Sequence, residues 1–550
     1  MYFEFSNKYR ELSIWILVFI LLLSLPIRFY FLEKNQFDTA IEKSVSISER
    51  SKDLLARRGK ILDRNGIILA EDIPSYEIGL EIKNFSFNPD EIYKISFVLE
   101  IDEKKLRNRL ANQNRKYLIL KHSASVDKYE SIIKENIHGI VGYKKYKRNY
   151  PKGVAFSQIV GVVNTYTNSG IQGIELSLDS MLSGTKGIKE YITSRKNKTI
   201  ASDIKEPLHG KNISLTIDSD LQTNAYLILE DTVKLHEANS GSLVVIDPKT
   251  REILAMANYP SFDPNNRKNI SSGTLENKAA TNLFEPGSTV KPIIMAVILD
   301  NDNTLLNKQI NTSPGYIDYQ GFVTKDFRDY GVQNVSQIIS NSSNVGMVKI
   351  CDKVNSELIV NGFYKMGFGK YFNEIFISTR EGYLPNVNTL SDREKVSLCY
   401  GYGLQTTLLE LVNSYSILYS KGKSVPLKLV TNSPSDEFDQ ILSPEVSSNM
   451  ENILTSVVDL GTGRRAKVNG IDVSGKTGTV RKVGSKGYEE EALNALFIGK
   501  ASMSDKDLII GLIIRNAKTN GSGGGEVAAP SFSRFINKIT ESEKALWILK

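Results

Sequence analysis

Ser288 and Lys291 stand three residues apart in "FEPGSTVKPIIMAVIL", Phe284–Leu299, and everything from Pro292 to Leu299 is apolar. A run of that kind reads as a helix buried on every side. Pro286 and Gly287 end the preceding chain, and Pro292 fits only near a helix start, where unpaired N–H groups are expected. The i, i+3 spacing then puts the hydroxyl and the amine on one face, one turn apart. An amine at the mouth of a core helix is costly unless it is paired, neutral or employed. Desolvation weakens its hold on a proton, so Lys291 can take one from Ser288. The backbone N–H groups at the helix start lie close to any oxyanion that then forms. The plainer use of S-x-x-K is a serine cap followed by a snorkelling lysine, and further residues have to separate the two readings.

Two other stretches do so. "ISNSSNVG" supplies Ser342-x-Asn344 between two helical segments, and "DVSGKTGTVRK" supplies Lys476, Thr477, Gly478 and Thr479 on a β-prone stretch. S-x-x-K, S-x-N and K-T-G in this order form a known set of acyl-transfer motifs. Other chemistries fit less well. "GIDVSGKT", Gly470–Thr477, satisfies the phosphate-loop pattern, but the residues after it lack the apolar helical period that such a loop needs. A Ser-His-Asp hydrolase needs a histidine at the nucleophile, and none lies beyond His236. Cys351 and Cys399 sit in apolar helical settings and read as packing residues with no disulfide framework behind them. No spacing suggests a metal site.

Elements must carry these groups into one place. The 550 residues suggest several domains, and 41% hydrophobic with 24% charged residues excludes wholesale disorder. The net charge of +7 is small for this length, and the one dense basic run, "YKKYKRNYPK", reads as a solvated face rather than a nucleic-acid site. "LSIWILVFILLLSLPIRFYFL", residues 12–32, is long and apolar enough to span a bilayer, and no small-residue cleavage site follows it. Asn65-Gly66 between two β-prone runs predicts a hairpin. "KNISLTIDSDLQ" reads as a strand, an Asp218 cap and a helix, and opens a new unit near Gly210. "GSLVVIDPKTREILAMANYP" predicts two strands about a turn; "LNALFIGKAS" and "DKDLIIGLIIRNA" predict two more, with a long helical insertion between the groups. A last amphipathic helix follows "GSGGGEVAAP". This is an α+β plan, an antiparallel sheet flanked by helices, behind a mixed α/β region.

The motifs, with "RRGKILDRNGIILA", "GIQGIELSLDSMLSG", "LTIDSDLQ", "AMANYPSFDPN" and "YGYGL" in order around them, resemble a class B penicillin-binding protein over nearly the whole chain. "EPGSTVKP" with "SSNVG" is most similar to the septal, cell-division (FtsI-like) subgroup. That resemblance implies a cytoplasmic N-terminus at 1–11, a transmembrane anchor at 12–32, a pedestal domain at 33–208 and a transpeptidase domain at 209–550. The transpeptidase domain is expected on the periplasmic side of the inner membrane, at the septum. It also implies a peptidoglycan D,D-transpeptidase acting on stem pentapeptides ending in D-Ala-D-Ala, inhibited by β-lactams, and using neither cofactor nor metal. A lipid-linked glycan polymerase and other division proteins are its expected partners.

Carried onto these positions, Ser288 is the nucleophile, Lys291 its base, Ser342 the proton relay and Lys476 the electrostatic support of that relay. Asn344 holds the donor peptide. Thr477, Gly478 and Thr479 form the carboxylate-binding strand, with N–H groups of Ser288 and Thr479 as oxyanion hole. Gln158, Asn282, Leu408 and Glu410 depart from residues usual in the family, at positions outside these roles. An elongation-type transpeptidase, a β-lactamase and a non-catalytic division scaffold stay open as alternatives.

Overall fold

The computed structural model describes residues 2–111, 116–193, 199–268, 270–372, 379–431, 438–484, 487–503 and 506–541. Two compact units divide the chain: Met1–Arg57 with Gly184–Gly210, and Arg58–Ser183 with Lys211–Lys550.

In the first unit one helix runs over Tyr2–Ser48. Its stretch Tyr9–Lys34 has a mean hydropathy of 2.3 and none of it is buried, so no protein core accounts for its apolar side chains. By length and composition it can cross a bilayer. Three antiparallel strands, Glu49–Leu54, Gly187–Thr193 and Thr199–Lys205, follow.

The second unit opens on the expected hairpin. Asp63 accepts from the N–H groups of Asn65 and Ile67, both at 2.8 Å, and bends the chain between strands Ile61–Leu62 and Ile68–Glu81. Strands Tyr117–Ala124 and Ile140–Asn149 flank the longer one, and Ile213–Ser214 pairs in parallel with Ile61–Leu62. The same region holds an ionic cluster, buried except at the partly exposed Asp179. Glu175 accepts from Arg58 Nε and Arg148 Nε, each at 2.6 Å; Asp179 takes Arg58 Nη1 at 2.6 Å and Asp72 takes Arg148 Nη1 at 3.3 Å.

The rest of the unit is a five-stranded antiparallel sheet between helical layers. In chain order it contains α1 (Ser219–Leu235), β1 (Ser240–Ile246), β2 (Ile253–Tyr259), α2 (Lys291–Asn301), α3 (Val335–Ser340) and α4 (Asn344–Cys351). After these come α5 (Asp392–Leu398), α6 (Leu408–Tyr419), α7 (Pro444–Asp459), β3 (Asp472–Gly484), β4 (Gly487–Met503), β5 (Lys506–Arg515) and α8 (Ala529–Glu541). The sheet order is β2-β1-β5-β4-β3, which makes the K-T-G strand an edge. Side chains alternate between two cores: Leu243, Val245, Ile510 and Leu512 pack toward one, Val244, Ile246, Ile509 and Ile513 toward the other. Both faces are therefore covered, which is why these strands read as nearly unbroken apolar runs.

Caps set the helix starts. Asp218 accepts from the N–H groups of Asp220 and Leu221, and Thr407 with Glu410 closes a capping box on α6. Glu410 is fully buried and also accepts from Gly382 N and Thr406 Oγ1, both at 2.9 Å, so this departure from the family gives α6 a satisfied start. The cysteine reading needs correction. Cys351 and Cys399 are joined by a disulfide; the fold brings α4 and the end of α5 together, a pairing across 48 residues that local sequence does not carry.

Candidate active site

Ser288 does not begin the α-helix. It lies in a 3₁₀ turn, Gly287–Val290, and α2 starts at Lys291. In a 3₁₀ turn residues i and i+3 eclipse, so Ser288 and Lys291 share a side more closely than α geometry would require. The turn is held from all directions. Gly287 N donates to Gly401 O at 3.0 Å, Tyr415 OH donates to Thr289 O at 2.7 Å, and Thr289 Oγ1 donates to Pro286 O at 2.7 Å. A side chain on Gly401 would start 2.0 Å from Gly287 O, and one on Gly287 would start 2.5 Å from Val480 Cγ2. Both positions have positive φ, so glycine is required twice over, and the turn lies directly against the K-T-G strand. Ser288 itself is partly exposed, and its hydroxyl makes no hydrogen bond among the described residues.

Lys291 is fully buried. Its Nζ donates to Asn344 Oδ1 at 2.6 Å, Ser342 O at 2.7 Å and Ser342 Oγ at 3.3 Å. Lys476, equally buried, donates from the other side to Ser342 Oγ at 3.1 Å and to Thr477 O at 3.0 Å. Neither amine forms an ion pair with a carboxylate among the described residues. Burial pushes Lys291 well below the ordinary lysine value, the Lys476 charge pushes it further, and Asp326 opposes both. Burial alone brings Lys476 down to about 7. The awkward amine is therefore moved toward its neutral form.

Ser342 holds a left-handed backbone, φ +60, uncommon outside glycine and asparagine. Strain of this kind is kept where the surroundings fix it, and here both Ser342 O and Oγ face Lys291 Nζ. Asn344 opens α4, with Nδ2 on Lys325 O at 3.0 Å, which leaves one amide hydrogen and one lone pair for a ligand. On β3, Thr477 is buried and its Oγ1 lies 2.7 Å from Thr462 Oγ1, Gly478 is buried, and Thr479 is exposed with Oγ1 accepting from Gly524 N at 2.9 Å. A hydroxyl, two amines, an amide and a strand edge thus converge from three distant stretches.

Three contributors escaped sequence reasoning. Asp326 caps α4, accepting from Ser343 Oγ at 2.6 Å and from the N–H groups of Asn344 at 2.5 Å and Val345 at 3.0 Å. Nothing in "VTKDFRDYG" sets it apart from Asp329. Thr462 sits in "LGTG", which reads as a bare turn. The Tyr400–Gly403 loop was visible as a motif but without a partner. Of the family departures, Gln158 Nε2 donates to Thr274 O at 2.7 Å, and Asn282 accepts from Arg515 Nε at 3.1 Å. A cleft of about 1070 Å³ at the far ends of α2 and α4 contains none of the site residues.

Comparison with known proteins gives the family. The penicillin binding protein transpeptidase domain matches residues 241–537, and the penicillin-binding protein dimerisation domain matches residues 53–215. The chain belongs to the penicillin-binding proteins, in the class B arrangement of a dimerisation domain followed by a transpeptidase domain. It is 32% identical to a probable peptidoglycan D,D-transpeptidase, PbpC, of Pseudomonas aeruginosa, over 96% of this chain and 94% of that one. It is 29% identical to the peptidoglycan D,D-transpeptidase FtsI of Escherichia coli, over 91% and 86%. The crystal structure of penicillin binding protein 3 from Mycobacterium tuberculosis with aztreonam shares the fold, with a TM-score of 0.70 at 23% identity over 90% of this chain and 97% of that one.

Proposed function

We propose that the chain is a peptidoglycan D,D-transpeptidase that closes septal crosslinks through an acyl-enzyme on Ser288. The observation that carries this reading is Lys291: buried, shifted toward its neutral form, with no carboxylate ion-pair partner among the described residues, and one turn from a partly exposed serine. Lys291 takes the Ser288 proton as Oγ attacks the carbonyl carbon of the penultimate D-Ala. N–H groups of Ser288 and Thr479 receive the oxyanion. The C–N bond to the terminal D-Ala breaks, and Ser342, bridged to both amines, delivers a proton to the departing amine. Lys476 supports that relay. Asn344 holds the donor amide, while Thr477, Gly478 and Thr479 receive the terminal carboxylate. An amine of a neighbouring stem then attacks the ester carbonyl and frees Ser288, so one amide bond replaces another with no other energy source.

The same reading divides the chain into an anchor at 12–32, a pedestal at 33–208 and a transpeptidase domain at 209–550; the matched dimerisation region, 53–215, runs a few residues past that boundary, and the matched transpeptidase region, 241–537, lies inside the last segment. The Cys351–Cys399 disulfide supports an extracytoplasmic transpeptidase domain, since such bonds persist in oxidising compartments. The FtsI name of several relatives supports the septum as its place of work, with a lipid-linked glycan polymerase and other division proteins as partners. Intact-mass analysis after benzylpenicillin tests the chemistry: one adduct is expected, mapped to Ser288 and absent from Ser288→Ala. An adduct kept by that variant removes the mechanism. Failure of Ser288→Ala to sustain division at midcell, where a fluorescent fusion should gather, excludes the scaffold reading, and lateral-wall localisation would point to elongation.

A further inference from the structure

Cys351 and Cys399 are both fully buried, and the bond between them joins two parts of the site. Cys351 closes α4, the helix that begins with Asn344 and follows directly on Ser342 and Ser343. Cys399 caps α5 and leads straight into Tyr400–Gly403. That loop supports the nucleophile turn, with Gly401 O accepting from Gly287 N and Gly403 N donating to Glu285 Oε1, both at 3.0 Å. One end of the bridge thus leads to the acceptors of Lys291, the other to the seat of Ser288. Beside it, Lys395 Nζ reaches Asp352 O at 3.2 Å, a contact that can break and re-form as a covalent bond cannot.

We propose that the Cys351–Cys399 disulfide positions the catalytic groups, setting the Ser288 turn against Ser342 and Asn344, so that transpeptidation depends on the thiol–disulfide state of the protein. The proposal rests on Ser288 being the nucleophile. Forming the bond takes two protons and two electrons from the thiols and gives them to a disulfide donor, which leaves as a dithiol. Without the bond, α4 and the loop shift relative to each other, and displacements of about 1 Å are enough to slow a positioned reaction severely. Water then reaches Lys291, and its proton affinity returns toward that of an ordinary lysine.

The test uses the full-length protein in detergent. Alkylation and intact mass should find no free thiol in the native state and two after reduction by a phosphine, which takes up the oxygen of water as the S–S bond opens. Acylation by a fluorescent penicillin is followed against pH, well below each melting temperature, for oxidised protein, reduced protein and Cys351→Ala/Cys399→Ala. The reduced protein and the double variant should acylate more slowly, by up to about 10²-fold, with the pH midpoint moved upward, and reoxidation should restore the wild-type protein alone. A fold-only staple would lower the melting temperature and leave rate and midpoint unchanged, and that result, or two free thiols in the native protein, overturns the proposal. If the double variant does not fold, the reduced and reoxidised wild type decides. Absence of any adduct on Ser288 in oxidised protein would instead strike the functional reading itself.

Discussion

In the pedestal, Arg58 and Arg148 share Glu175 and reach Asp179 and Asp72; in the transpeptidase site, Lys291 and Lys476 share one serine hydroxyl. Both clusters bury cations, and they solve the problem in opposite ways. The guanidiniums cannot give up their protons, so each is matched with carboxylates in a planar, multiply bonded net. The amines can, so they are left among neutral acceptors and driven toward the uncharged state. Pairing marks a cluster that holds the chain together. Here its absence goes with the two amines that the proposed mechanism uses to move protons.

Substitutions can break that contrast. Lys291→Met should lower acylation about 10³-fold or more, since positioned bases contribute 10²–10⁴, with the melting temperature unchanged or raised; a stopped-flow rate beside a thermal scan checks both. Loss of stability as large as that of a pedestal variant would erase the distinction. Arg58→Met leaves the buried Glu175 with Arg148 as its remaining cation and takes a partner from the partly exposed Asp179, and should cost roughly 3 kcal/mol in denaturant unfolding, while acylation per folded molecule stays near wild type.

A pH titration of stability sharpens the comparison. Lys476 titrates near 7 in the fold and near 10.5 when unfolded. Between these values the unfolded chain binds more protons, so stability should rise with pH by up to about 1.4 kcal/mol per unit. Lys476→Met should flatten this rise, and Arg148→Met should leave it in place. Acylation should likewise increase with pH as Lys291 loses its proton, with a midpoint below the ordinary lysine range because burial and the Lys476 charge both disfavour the ammonium. The smallest effect is expected from Thr462→Val, which takes one partner from Thr477 and should weaken acylation by about 1 kcal/mol, a several-fold change.

Much of this was legible in the chain because local rules and tertiary demands coincide. The runs "SLVVI" and "LIIGLII" announce strands covered on both faces, and Asp218 announces its helix. The three motifs carry the reacting groups themselves, so residue type alone points to them. What stayed hidden depends on through-space partners. Cys351 and Cys399 look like packing because each is packed; only the approach of α4 to α5 makes them a pair. Asp326 and Thr462 act on backbone N–H groups and a hydroxyl supplied by other elements, and their own neighbourhoods say nothing of it. The 3₁₀ turn at Ser288 follows from Gly287 fitting under Val480 and against Gly401, which no helix propensity encodes.

The place of β3 at the border of its sheet has one more implication. A border strand still offers main-chain donors and acceptors to a newcomer, a liability that most proteins cover or blunt. On the proposed function the newcomer is wanted: an extended peptide can lie alongside as a temporary sixth strand, recognised through backbone groups that every peptide shares. Side chains then contribute little to selection, which falls to the chain-end carboxylate and the amide ahead of it. Any rigid molecule that copies that short outline can enter, and an enzyme built this way is vulnerable to mimics by design.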